Sequence, residues 1–77
     1  MAKITRDQAI NIGNALSVDW SKYRLDQFVV GINVEMEHER TVRRVGGTDP
    51  QLVAGMIAID HLSEYPDYYD RLKKVET

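Results

Sequence analysis

Apolar positions recur along this chain with a period near 3.6, and the every-second-residue alternation of strands is nearly absent. The spacing predicts a first helix from Thr5, whose hydroxyl can cap the backbone while Gln8 reaches back, a Thr-x-x-Gln capping box. Ala9, Ile12 and Leu16 then share one apolar face, with Gly13 on the same side. Ser17 to Tyr23 reads as a connection with a short helical turn started by Asp19, its seam plugged by Trp20 and Tyr23. The second helix is the clearest: Leu25, Phe28, Val29, Ile32 and Met36 form a stripe aimed at the core, and it should end near His38 to Arg40. Val30 and Val34 lie off that stripe.

A polar loop follows, and the third helix opens at Thr48-Asp49-Pro50. Either Asp49 caps it with Pro50 at the first helical position, or Thr48 does through a box to Gln51. Leu52, Val53, Ala54, Met56, Ile57, Ala58, Ile59 and Leu62 leave this helix apolar on nearly every side, the pattern of a central or interface helix. It stops before Pro66, which starts a short fourth helix with Tyr68, Leu72 and Val75 along one line. Asp67–Arg71 and Asp70–Lys74 make i,i+4 pairs there. The expected fold is all-α: one small four-helix domain over residues 1–77, with a long loop between helices 2 and 3. A loop of about ten residues favours antiparallel packing of those two helices.

Seventy-seven residues bury only about 60% of their unfolded surface, so an apolar third helix invites self-association or a protein partner. Cysteine is absent, which removes disulfides and thiolate metal sites and suits a reducing cytoplasm. A net charge of −2 argues against general nucleic-acid binding. No apolar run approaches the roughly 18 residues that span a bilayer, and the N-terminus lacks the apolar stretch of a signal peptide.

The chemistry-bearing residues form three groups. Both histidines sit three residues from a glutamate, Glu35 with His38 and His61 with Glu64, each pair on one helix face. The two pairs run in reversed order, so two antiparallel helices could bring them face to face as ligands for zinc, iron or manganese, although no cofactor is assured. The simpler reading is a set of ion pairs near helix C-termini, where an imidazolium complements the helix dipole. Arg40, Arg43 and Arg44 beside Gly46-Gly47 could hold a phosphate or nucleotide, but the loop matches neither a P-loop nor a dinucleotide fingerprint. Tyr65, Tyr68 and Tyr69 around Pro66 either offer an aromatic interaction surface or cap the small core. Ser17, Ser21 and Ser63 have no nucleophile context, and the reading leans away from an enzyme.

Three stretches carry a resemblance: Asp19-Trp20-Ser21-Lys22-Tyr23 with Asp26-Gln27-Phe28, then Gly31 to His38, then Ala58 to Leu72. With their Glu-x-Glu-His and Ala-x-x-His-Leu-x-Glu-x-Pro-Asp-Tyr-Tyr-x-x-Leu runs, they resemble an uncharacterised family of small bacterial and phage proteins, a domain of unknown function. The likeness implies a phage or prophage origin and brings no activity with it. Arg24 stands where such proteins usually have Asp, and Glu39 where they often have Gly, which bears on where the second helix starts and stops.

Overall fold

The structure, a computed structural model, describes residues 3–37 and 49–76, the last three by their backbone alone. Four helices follow in order, α1 (Arg6–Ala15), α2 (Leu25–Met36), α3 (Pro50–Glu64) and α4 (Tyr68–Glu76), with no strand among the described residues. The stretch expected to form the long loop, residues 38–48, lies outside them.

Local chemistry sets the helix ends. Gln8 N–H donates to Thr5 Oγ1 at 3.2 Å and Thr5 N–H to Gln8 Oε1 at 2.8 Å, which completes the capping box of α1. Asp49 caps α3 by accepting from Leu52 N–H at 3.2 Å, with Pro50 at the first position, where no amide hydrogen is needed. α2 starts at Arg24 without a side-chain cap; the guanidinium turns instead to Asp26, at 2.6 and 3.1 Å. That pair is exposed and adds little to stability.

α1 ends in a Schellman turn. Val18 N–H reaches Gly13 O at 2.8 Å and Ser17 N–H reaches Asn14 O at 3.1 Å, which places Ser17 at φ 59°, a conformation that favours glycine. One helical turn follows, as expected from Asp19: Lys22 and Tyr23 donate to its carbonyl at 2.9 and 3.2 Å. Its carboxylate accepts from the Ser21 hydroxyl at 2.6 Å and the Ser21 amide at 2.9 Å, bonds that hold it below the usual aspartate range. Tyr23 then anchors the connection to α3: Ser63 gives its one proton to Ile59 O, so Tyr23 donates to Ser63 Oγ, at 2.8 Å.

Phe28 and Ile32 are fully buried at the centre. α3 faces them with small residues, Ala54, Gly55 and Ala58, so α2 and α3 approach closely. A Cβ on Gly55 would meet the Phe28 ring at 3.4 Å, one on Gly31 would meet the Ala58 Cβ at 3.0 Å, and Glu35 touches His61 at 3.3 Å. These contacts climb both helices together, so α2 and α3 run parallel. The antiparallel expectation, drawn from loop length, is overturned by the match of rings and small residues between the two helices. The thirteen-residue stretch 37–49 has ample reach, since α2 rises only about 18 Å.

α1 does run antiparallel to α2, with Gly13 near Phe28 and Ile4 near Asn33. Asn33 clips the segment before α1 twice: its Oδ1 accepts from Ile4 N–H at 2.7 Å and its Nδ2 donates to Ile4 O at 3.3 Å. Ile4 is thereby seated in the core. Among the described residues one buried side chain departs from the apolar rule. Gln27 is 3% exposed, and its Oε1 has no hydrogen-bond partner.

Candidate functional site

The parallel arrangement brings the C-terminal ends of α2 and α3 to the same end of the molecule, with Glu35 near the end of one and His61 in the last turn of the other. α4 returns over this place after the turn at residues 65–67 and inserts Tyr69 between them. The ring occupies a slot that only a residue without a side chain can leave open: a Cβ on Gly31 would overlap it, at 2.5 and 2.9 Å from two ring carbons. The same Cβ would stand 3.0 Å from the Ala58 Cβ on α3.

At the bottom of the slot Tyr69 Oη donates to Glu35 Oε2 at 2.9 Å. His61 Nδ1 stands 3.3 Å from both of those oxygens. Because the phenol proton is already given to Glu35, Nδ1 must carry a hydrogen for either imidazole contact to be a hydrogen bond. Tyr68 stacks on the outer face of His61, with centroids 4.3 Å apart and planes 4° from parallel, and meets Tyr69 edge-on at 5.0 Å. The side chains of Glu35 and His61 are 14% and 30% exposed, whereas Tyr69 is 3% exposed. Burial pushes the Tyr69 phenol well above the ordinary tyrosine range, and both the hydrogen bond to Glu35 and its negative charge act in the same direction.

Of the four side chains considered as metal ligands, the structure thus joins Glu35 and His61. Glu64 is exposed, and no three histidine or acidic side chains among the described residues are placed to share an ion. His38, Arg40, Arg43 and Arg44 lie outside the described residues. Among the tyrosines, Tyr65 is 47% exposed and carries the Arg71 guanidinium over its ring at 4.8 Å, while Arg71 also pairs with Asp67 at 2.7 Å. Tyr69 is not a surface residue, a correction to the three-tyrosine patch, because the Gly31 opening draws its ring inward. For the same reason the inner line of α4 includes Tyr69 as well as the half-buried Tyr68 and Leu72; the side chains of Lys74 and Val75 lie outside the description. The sequence signal for this was Gly31, four residues before Glu35 on the same face of α2.

A second concavity, about 450 Å³, lies between the α1–α2 connection and α3. Its walls include Leu16, Val18, Tyr23, Met56 and Ile59, with Asp19, Lys22 and Asp60 also lining it. Met56 is 55% exposed.

A family model described as protein of unknown function, DUF5661, matches residues 9–77. No curated protein matches, and no solved structure matches.

Proposed function

The chain belongs to the DUF5661 family, whose function is unknown, and we propose that it is a small helical interaction module that pairs with a second copy of itself. The observation that carries this reading is the outward side of α3. Val53, Met56 and Ile57 fall at i, i+3 and i+4 on the side away from Ala54 and Ala58, and Met56 is more than half exposed and lines the concavity beside α3. Val30 on α2 adds a second exposed apolar residue, at 46%. Covering such a strip is the usual reason for a small domain to associate. The likeness of the Glu-x-Glu-His and His-Leu-x-Glu-x-Pro-Asp-Tyr-Tyr runs to small bacterial and phage proteins supports a phage or prophage source. Among the described residues no helix is long and apolar enough to cross a membrane.

Light scattering across a concentration series tests the pairing. The reading expects a dimer that Met56→Glu converts to monomer without loss of helicity. A monomer mass at the highest attainable concentration contradicts it.

Metal binding is a second reading, favoured by the contact of Glu35 with His61 from two different helices. Elemental analysis of protein purified without added metal tests it, and its absence together with unchanged melting on zinc or iron addition removes it.

A further inference from the structure

We propose that Glu35 Oε2, His61 Nδ1 and Tyr69 Oη form a three-donor site for a tetrahedral divalent cation of the zinc type, with Tyr69 binding as phenolate. The proposal deepens the metal-binding reading and rests on it. It differs in its donor set: the third ligand is the buried tyrosine of α4, a residue type outside the Glu/His pairs.

The three donor atoms arrive from three helices and stand 2.9, 3.3 and 3.3 Å apart. A tetrahedral ion with bonds of about 2.0–2.1 Å separates its ligands by about 3.3 Å. Two edges therefore already match, and the third is drawn in by the phenol hydrogen bond that a metal would replace.

Electrostatics points the same way. α2 and α3 run parallel, so both present their C-terminal ends here, and unpaired carbonyls at a helix end carry negative potential. Glu35 adds a full negative charge. A carboxylate, a phenolate and a neutral imidazole sum to −2, which a divalent ion balances, and a neutral assembly is what a mostly buried site requires. The nitrogen-and-oxygen donor set, without sulfur, suits zinc rather than a soft ion such as cuprous copper.

The metal–oxygen bond forms as the Tyr69 O–H bond breaks, and that proton leaves to solvent. The imidazole shifts its hydrogen from Nδ1 to Nε2, with no net release. His61, the most exposed of the three, gives the ion its way in. A bound cation reverses the local preference that keeps the phenol protonated.

The test is zinc chloride titrated into chelator-treated full-length protein, in two buffers of different ionisation enthalpy. It is run at about pH 8, above the ordinary imidazole range. The expected result is one zinc per chain with about one proton released, and a tyrosinate difference absorbance that rises with zinc occupancy. Tyr69→Phe keeps the ring in its slot; it should abolish both signals and weaken binding by at least about a hundredfold, more than an outer-shell partner costs. Circular dichroism confirms its fold. Zinc binding by the wild type without tyrosinate absorbance overturns the phenolate ligand whatever the variant does. Equal affinity of Tyr69→Phe and wild type, with binding lost in His61→Ala, also overturns it but leaves the metal reading standing. No zinc binding by the wild type ends both.

Discussion

The two ends of α2 use one device for different purposes. At its N-terminal end the Trp20 indole covers Gly13, where a Cβ would overlap it, and meets Phe28 edge-on with centroids 5.5 Å apart. At its C-terminal end the Tyr69 ring covers Gly31. Both pairings depend on a missing side chain, that of Gly13 on α1 in the first and of Gly31 on α2 in the second, and both set a ring from outside α2 against it. The difference lies in what the ring carries. Trp20 directs its only polar atom outward, where Nε1–H donates to Asn14 at 3.1 Å on the exposed side. Tyr69 carries its hydroxyl inward to a carboxylate and an imidazole. The first end is held by burial of apolar surface, while the second also holds charge and a proton in a place largely shielded from water. Of the two rings, Tyr69 is the one that meets ionisable side chains.

Breaking the apolar end should cost most. Phe28→Ala removes the ring on which Trp20 and Gly55 both depend, and a urea titration should show a loss of about 3–5 kcal/mol. Breaking the polar end at its slot is a sharper probe, because the sign is at stake. At a helical glycine with open space, alanine stabilises by about 0.5–1 kcal/mol. At Gly31 the added methyl meets the Tyr69 ring and Ala58, so Gly31→Ala should instead destabilise, by about 1–2 kcal/mol, in thermal or urea melts.

The third prediction concerns pH, in protein kept free of metal. Tyr69 is raised above its unfolded value, so the folded state keeps a proton that the unfolded chain gives up near pH 10. Stability is therefore intact below about pH 10 and falls as pH rises beyond it, by at most about 1.4 kcal/mol per pH unit for this one proton. Tyr69→Phe should remove that part of the alkaline slope, while removal of the Trp20–Asn14 bond should leave it unchanged. The smallest effect lies beside the apolar end. Ser17→Gly relieves the positive φ of the Schellman turn and should raise stability by about 0.5 kcal/mol, read as a higher urea midpoint.

The same contrast explains what could be seen in the sequence. The Thr5–Gln8 box, the Asp49–Pro50 cap and the Leu25-to-Met36 stripe rest on residues within a few positions of one another, and each is present. Loop length, also a local quantity, predicted the wrong direction for α3. Direction is decided by which small residues meet which neighbours: Gly55 with Phe28, and Gly31 with Ala58 and Tyr69. Those matches join residues about 27 positions or more apart and leave no periodic trace. Tyr69 was hidden for a related reason. α4 has only nine residues, too few turns for its own pattern to fix the inward side, and the opening that receives Tyr69 belongs to α2. The Glu35 and His61 positions could be placed near helix ends from spacing alone, but the hydroxyl between them could not.

The measurement that bears most directly on this account is the pH response of the Tyr69 ring carbon bonded to oxygen, followed by carbon NMR in labelled, chelator-treated protein and assigned with Tyr69→Phe. A ring locked against Gly31 with its proton held by Glu35 should show no ionisation while the protein stays folded, even past about pH 10. A resonance that titrates freely near that pH in the folded protein would mean that the hydroxyl faces water, and the lock between α2, α3 and α4 would be wrong.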